Sequence, residues 1–181
     1  MFDRMQYIID PPVYPSARVG SMTIRGIEGD ILGYIKWGIM SSGFRFEDTL
    51  GSILGEAKMK WMRGLLLTDS MGVLQGKIGI NMNVRVAREY FIPPIVLTSP
   101  SGQTMLTSSK FNYIQSFVPS YTNKMNGMID SGALIFSANK STVAGFKRPV
   151  SSIGLQIDIV SKDFNQFFIL SLVAAMLLTN S

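Results

Sequence analysis

Apolar and polar residues alternate along most of this chain, and the alternation is clearest over residues 77 to 87, KIGINMNVRVA. There Ile78, Ile80, Met82, Val84 and Val86 fall on one face of an extended chain, with Lys77, Asn81, Asn83 and Arg85 on the other. A period of two is that of a half-buried strand. Shorter runs of the same kind occupy 20 to 27, 31 to 39, 44 to 48, 53 to 61, 64 to 68, 94 to 98, 103 to 107, 111 to 118, 128 to 137, 142 to 147 and 151 to 160. About a dozen strands at regular spacing, with no long amphipathic helix between them, predict a sandwich or a barrel.

Between the strands a unit recurs. Asp48, Gly51 and Gly55 stand in the pattern D-x-x-G-x-x-x-G, and Asp69, Gly72 and Gly76 repeat it 21 residues later. Gly29 and Gly33 hold the two glycine places of an earlier copy, and SPSG, ending at Gly102, is a looser one. An Asp side chain can accept N–H groups two residues on, and Gly supplies a positive φ, so the unit predicts tight hairpin turns. A calcium loop would need several carboxylates clustered within about a dozen residues. Each turn here offers one or two, so the repeat is read as architecture.

The end of the chain breaks the pattern. SKDFNQFFILSLVAAMLLTNS begins with Asp163 and Gln166 spaced as in a capping box, then is apolar from Phe167 to Leu178 except at Ser171. Apolar residues cover the whole circumference, so a helix over 164 to 178 must be buried on every side. The run falls short of the roughly 20 apolar residues a bilayer span requires, which favours burial in protein over a tail anchor. An antiparallel barrel of about twelve strands is too wide for its own side chains to fill, and a helix threaded through it removes the void. The expected fold is therefore mainly β: a barrel of about twelve antiparallel strands enclosing a hydrophobic C-terminal helix, with residues 1–181 as a single domain.

Composition narrows the chemistry. The chain of 181 residues has no histidine and no cysteine, which removes Ser-His-Asp and Cys-His triads, the usual zinc sites and thiol redox chemistry. No G-x-G-x-x-G or P-loop occurs, so no nucleotide cofactor is expected. The carboxylates Glu47, Asp48, Glu56 and Asp69 are each explained by turns or surface, and no catalytic residue and no metal ligand is assigned. A hydrolase built on carboxylates is the enzymatic alternative. The first residues, MFDRMQYIIDPPVYP, show no export signal, so a cytoplasmic location is expected, at most peripheral to a membrane.

The formal net charge of +5 points to anionic partners. Lys58 and Lys60, in EAKMKWM, lie two apart and share a strand face, opposite Met59 and Trp61. Two ammonium groups on one face can hold a phosphate. Arg85 and Arg88, in VRVAREYF, form a second basic pair. Interleaved basic and aromatic positions of the kind that grip single strands are not evident, and no nucleic acid partner is expected.

The segments FRFEDTLGSILGEAKMK, GLLLTDSMGVLQGKI, IVLTSPSGQTML and GLQIDIVSKDFNQFFILSLVAAML, in that order, resemble the tubby C-terminal-domain-like superfamily, which includes phospholipid scramblases and LURP-one-related proteins. The resemblance covers roughly residues 20 to 178. It implies a twelve-stranded barrel around a hydrophobic C-terminal helix, no catalysis, and a barrel surface whose basic side chains bind an anionic phospholipid head group at a membrane surface in a regulatory or scaffolding role. The K-x-K pair at Lys58 and Lys60 resembles the tubby lipid site. A protein-interaction module and a tail-anchored protein are the alternatives.

Overall fold

A computed structural model describes residues 1–10, 20–38, 43–60, 64–80, 91–92, 94–109, 111–112, 133–147 and 154–178. Twelve strands close into an antiparallel barrel. In chain order they are β1 (Gln6–Asp10), β2 (Gly20–Arg25), β3 (Ile31–Trp37), β4 (Gly43–Glu47), β5 (Ile53–Lys60), β6 (Gly64–Asp69) and β7 (Leu74–Ile80). The rest are β9 (Ile95–Thr98), β10 (Thr104–Ser108), β12 (Ala133–Ser137), β13 (Thr142–Lys147) and β14 (Leu155–Ile159). β1 pairs with both β2 and β14, which closes the ring. Two short strands, β8 (Phe91–Ile92) and β11 (Phe111–Asn112), pair with each other outside the barrel sheet. Residues 81–90, on which the longest alternation runs out, lie outside the described residues.

Five hairpins close one end of the barrel, and all five use the same turn. In each, the first residue donates its N–H to the carbonyl four residues on and accepts from the N–H three residues on. The pairs begin at Gly26, Asp48, Asp69, Ser99 and Ser137. The fourth residue has a positive φ every time: 92° at Gly29, 86° at Gly51, 79° at Gly72, 88° at Gly102 and 61° at Lys140. Asp48 and Asp69 reinforce their turns with one carboxylate oxygen each, which accepts the N–H groups of Leu50 and Ser52 or of Met71 and Val73 at 2.8–2.9 Å. These N–H groups, Ser52's first, hold the Asp48 carboxyl below its ordinary range.

One residue past each turn the register slips. Pairing jumps from Phe46↔Gly55 to Glu47↔Ile53, leaving Leu54 bulged, and the other four hairpins slip at the corresponding place. The second glycine of the repeat follows the bulge and serves close approach rather than turning. A Cβ at Gly55 would lie 2.5 Å from the Phe167 ring, and one at Gly76 would lie 2.8 Å from the Thr98 carbonyl oxygen.

The αL position yields a paired prediction. A Cβ at Gly51 meets nothing within 4 Å, so Gly51→Ala pays only for its backbone, about 1 kcal/mol. Lys140 already carries that cost, and Lys140→Gly is expected to stabilise by about 1 kcal/mol. Chemical denaturation of the two variants should therefore shift the midpoint in opposite directions.

The C-terminal helix α1 (Gln166–Leu178) enters the barrel from the hairpin end, where β14 finishes. Every residue from Ile169 to Leu177 is buried, together with the inward side chains of the barrel strands. Thirteen residues at about 1.5 Å each span about 20 Å, short of the roughly 30 Å hydrocarbon core of a bilayer. No described helix is long and apolar enough to cross a membrane, and the tail-anchor reading has no support from this placement. The capping box is corrected as well. Asn165 caps the helix, its Oδ1 accepting the Phe167 N–H at 2.9 Å, while the Asp163 carboxylate turns back to accept from the Ser161 hydroxyl. The mouth of the barrel is filled by edge-to-face rings, with Phe2 and Phe167 each against Phe46 and against one another at 5.3–5.7 Å.

Candidate functional site

The side chains that point out of β3, β4 and β5 near the end opposite the hairpins are strongly charged, because the alternation that buries Ile35, Phe44, Phe46 and Ala57 must send their neighbours outward. Cross-strand pairing places Lys36 opposite Arg45 and Arg45 opposite Glu56. Three cations from three strands, Lys36, Arg45 and Lys58, thereby reach one cleft of about 490 Å³. Of its apolar lining residues, Phe44 and Ala57 turn into the core, and Trp37 alone is part-exposed. Gly20 and Gly43 permit close approach at the cleft edge: a Cβ at Gly20 would run into the Trp37 ring at 2.4 Å, and one at Gly43 would meet the Ala57 carbonyl.

Two carboxylates set the electrostatics. Glu47, only 4% exposed, receives the Lys36 ammonium at 2.5 Å and the Arg45 Nε at 2.6 Å. Glu56 pairs with Lys58. The Lys36 ammonium first, and the Arg45 guanidinium after it, hold the Glu47 carboxyl below its ordinary range against the opposing effect of burial. Lys36, Arg45, Lys58 and Lys60 outnumber the two carboxylates, so the face stays net cationic. Because Lys36 and Arg45 are each pinned by Glu47, they form a fixed rather than a waving pair of charges.

The lowered value makes Glu47 a sensor of acid. Its stabilisation is fully present above the ordinary value near 4.5 and is lost as pH falls through the depressed value of the folded state. Glu47→Gln is expected to cost about 1–3 kcal/mol at pH 7, toward the lower figure because both cations can rehydrate. The gap in melting temperature between wild type and variant should then narrow below pH 4.5; a constant gap from pH 7 to pH 3 would show that the ion pairs contribute nothing.

The outward pairing of Lys58 and Lys60 is as the alternation requires, and both are exposed. Lys58 lines the cleft, whereas Lys60 lies two residues further along the same strand and outside the lining. Met59, on the other face, is 49% exposed because it lies at the rim, where the barrel interior opens. Arg85 and Arg88 lie outside the described residues. Glu47, read as a turn or surface carboxylate, is instead buried beneath two cations, because β4 brings it beside both at once. Lys36, Arg45 and Trp37 escaped the sequence reading. The alternation of YIKW and FRFE already turns Lys36 and Arg45 outward, but only the register makes them neighbours.

No family model and no curated protein matches the sequence. A match is found in structure: the X-ray structure of the Arabidopsis thaliana protein AT5G01750 aligns with a TM-score of 0.61 at 11% identity, over 97% of this chain and 92% of that one. At that identity the likeness is one of fold. The chain therefore shares the fold of the Arabidopsis protein, and is itself a barrel closed by twelve strands around its C-terminal helix.

Proposed function

We propose that this barrel binds an anionic phospholipid head group at a membrane surface, as a non-catalytic regulatory or scaffolding module, through the cationic outer face of β3 to β5. The observation that carries the reading is the convergence of Lys36, Arg45 and Lys58 on one cleft, with Lys60 beside it. An excess of positive charge around a pocket with one part-exposed apolar ring suits a phosphate whose attached glycerol or acyl carbon can rest on Trp37. Glu47 and Glu56 are both engaged by cations, which suits binding better than acid-base work. The earlier pairing of Lys58 with Lys60 thus widens into a site with contributions from three strands.

Flotation with phosphatidylcholine vesicles, with and without phosphatidylserine or phosphatidylinositol phosphate, tests it. Wild type should float with the acidic vesicles at low salt and be released as salt rises, since each basic residue near the surface contributes only about 1 kcal/mol. Lys58→Glu combined with Lys60→Glu should abolish flotation with little change in melting temperature. Absence of wild-type flotation at low salt overturns the reading.

A further inference from the structure

The two ends of the barrel differ in a way the lipid reading does not use. At the hairpin end the turns beginning at Gly26, Asp48 and Asp69 join successive strand pairs and therefore stand side by side. Their tips carry Ile27, Leu50 and Met71, the last two 90% and 87% exposed. Val73 and Val160 stand exposed at the same end, and among the described residues Met59 and Leu134 are the large apolar side chains exposed elsewhere. These three turns, residues 26–30, 48–52 and 69–73, also hold Glu28, Asp30, Asp48 and Asp69, and no basic residue. Asp30 pairs with Arg4 at 3.1 Å, which leaves Glu28, Asp48 and Asp69 as the acidic charges beside the apolar tips. An exposed apolar patch marks an interaction surface, and these charges disfavour an anionic bilayer as its partner.

A surface of the complementary kind exists on the same molecule. The cleft at the far end has the part-exposed Trp37 ring and a cationic rim of Lys36, Arg45 and Lys58. We propose that the chain associates head to tail, the acidic and apolar hairpin tips of one copy docking on the basic cleft of the next. Leu50 and Met71 lie against Trp37, and Asp48 and Asp69 face the cationic rim. Such a contact uses two different patches and does not close on itself, so it propagates into short linear chains. Its charged rim makes it sensitive to salt. It shares the cleft with the proposed lipid site and makes the two occupants competitors, but it rests on separate observations at the other end of the barrel.

Sedimentation velocity on the intact chain is the test. At low salt the weight-average mass should rise with concentration above the 20.0 kDa monomer and return to it at high salt. Leu50→Ser with Met71→Ser, and separately Lys58→Glu with Lys60→Glu, should each weaken association by about tenfold or more. Mixing the two weakened variants should restore a single complex of one copy of each, because one retains an intact cleft and the other intact tips. A dimer that survives the cleft changes but not the tip changes would mean that tips meet tips, and overturns the proposal. So does a wild type that stays monomeric at low salt while floating on neutral phosphatidylcholine vesicles through Leu50 and Met71. The tip variant should still bind acidic vesicles, so failure of this contact and failure of the lipid site are told apart.

Discussion

Leu172→Ala should destabilise the protein by about 2–5 kcal/mol, and Phe168→Ala, one turn earlier on the same helix, by clearly less. Leu172 has no exposed surface and lies amid the inward side chains of the barrel, so its deletion leaves a cavity that strands locked into a closed ring cannot collapse to fill. Phe168 sits near the mouth, is only partly buried, and has solvent into which its neighbours can relax. Urea unfolding of both variants, read at equal slope, measures the difference. Equal small losses would mean that the barrel holds itself together without the helix, and that the helix is a lining rather than the core.

The dependence on α1 explains what the sequence could and could not reveal. Alternation is a local property, and it predicted a strand at every barrel position except β1. QYIID shows only two inward residues, Tyr7 and Ile9, before the prolines at 11 and 12 obscure the pattern. The helix was legible because apolar residues on all sides leave no solvent face. Its cap was not: Asp163 and Asn165 are both good caps, and the fold chose the one at which the chain leaves the loop to enter the barrel. The fifth turn, Ser137 to Ser141, escaped notice because Lys140 holds the left-handed place that glycine holds in the other four. The cationic cleft was legible one strand at a time and no further. Lys58 could be turned outward from EAKMKWM alone, but its company with Lys36 and Arg45, and the burial of Glu47 between them, depend on the register between consecutive strands, which alternation does not state.

Glycines make the same point with energies attached, and Gly64→Ala is the sharper case. Gly64 opens β6 with φ at 77°, the conformation of Gly51, and sequence alone would rank the two alike. Their surroundings differ. A Cβ on Gly51 points into open space, whereas one on Gly64 would stand 2.3 Å from the Ile78 carbonyl oxygen on the adjacent strand β7. Backbone strain of about 1–2 kcal/mol is then joined by a steric conflict of about 1–3 kcal/mol. The oxygen cannot swing aside, because β7 is held on its other side by β9. Gly64→Ala should therefore cost about 2–5 kcal/mol in denaturant unfolding, against about 1 kcal/mol for Gly51→Ala. If both variants lose the same 1 kcal/mol or so, backbone conformation alone governs these positions, and the β6 to β7 contact at Gly64 yields more readily than the closed barrel implies.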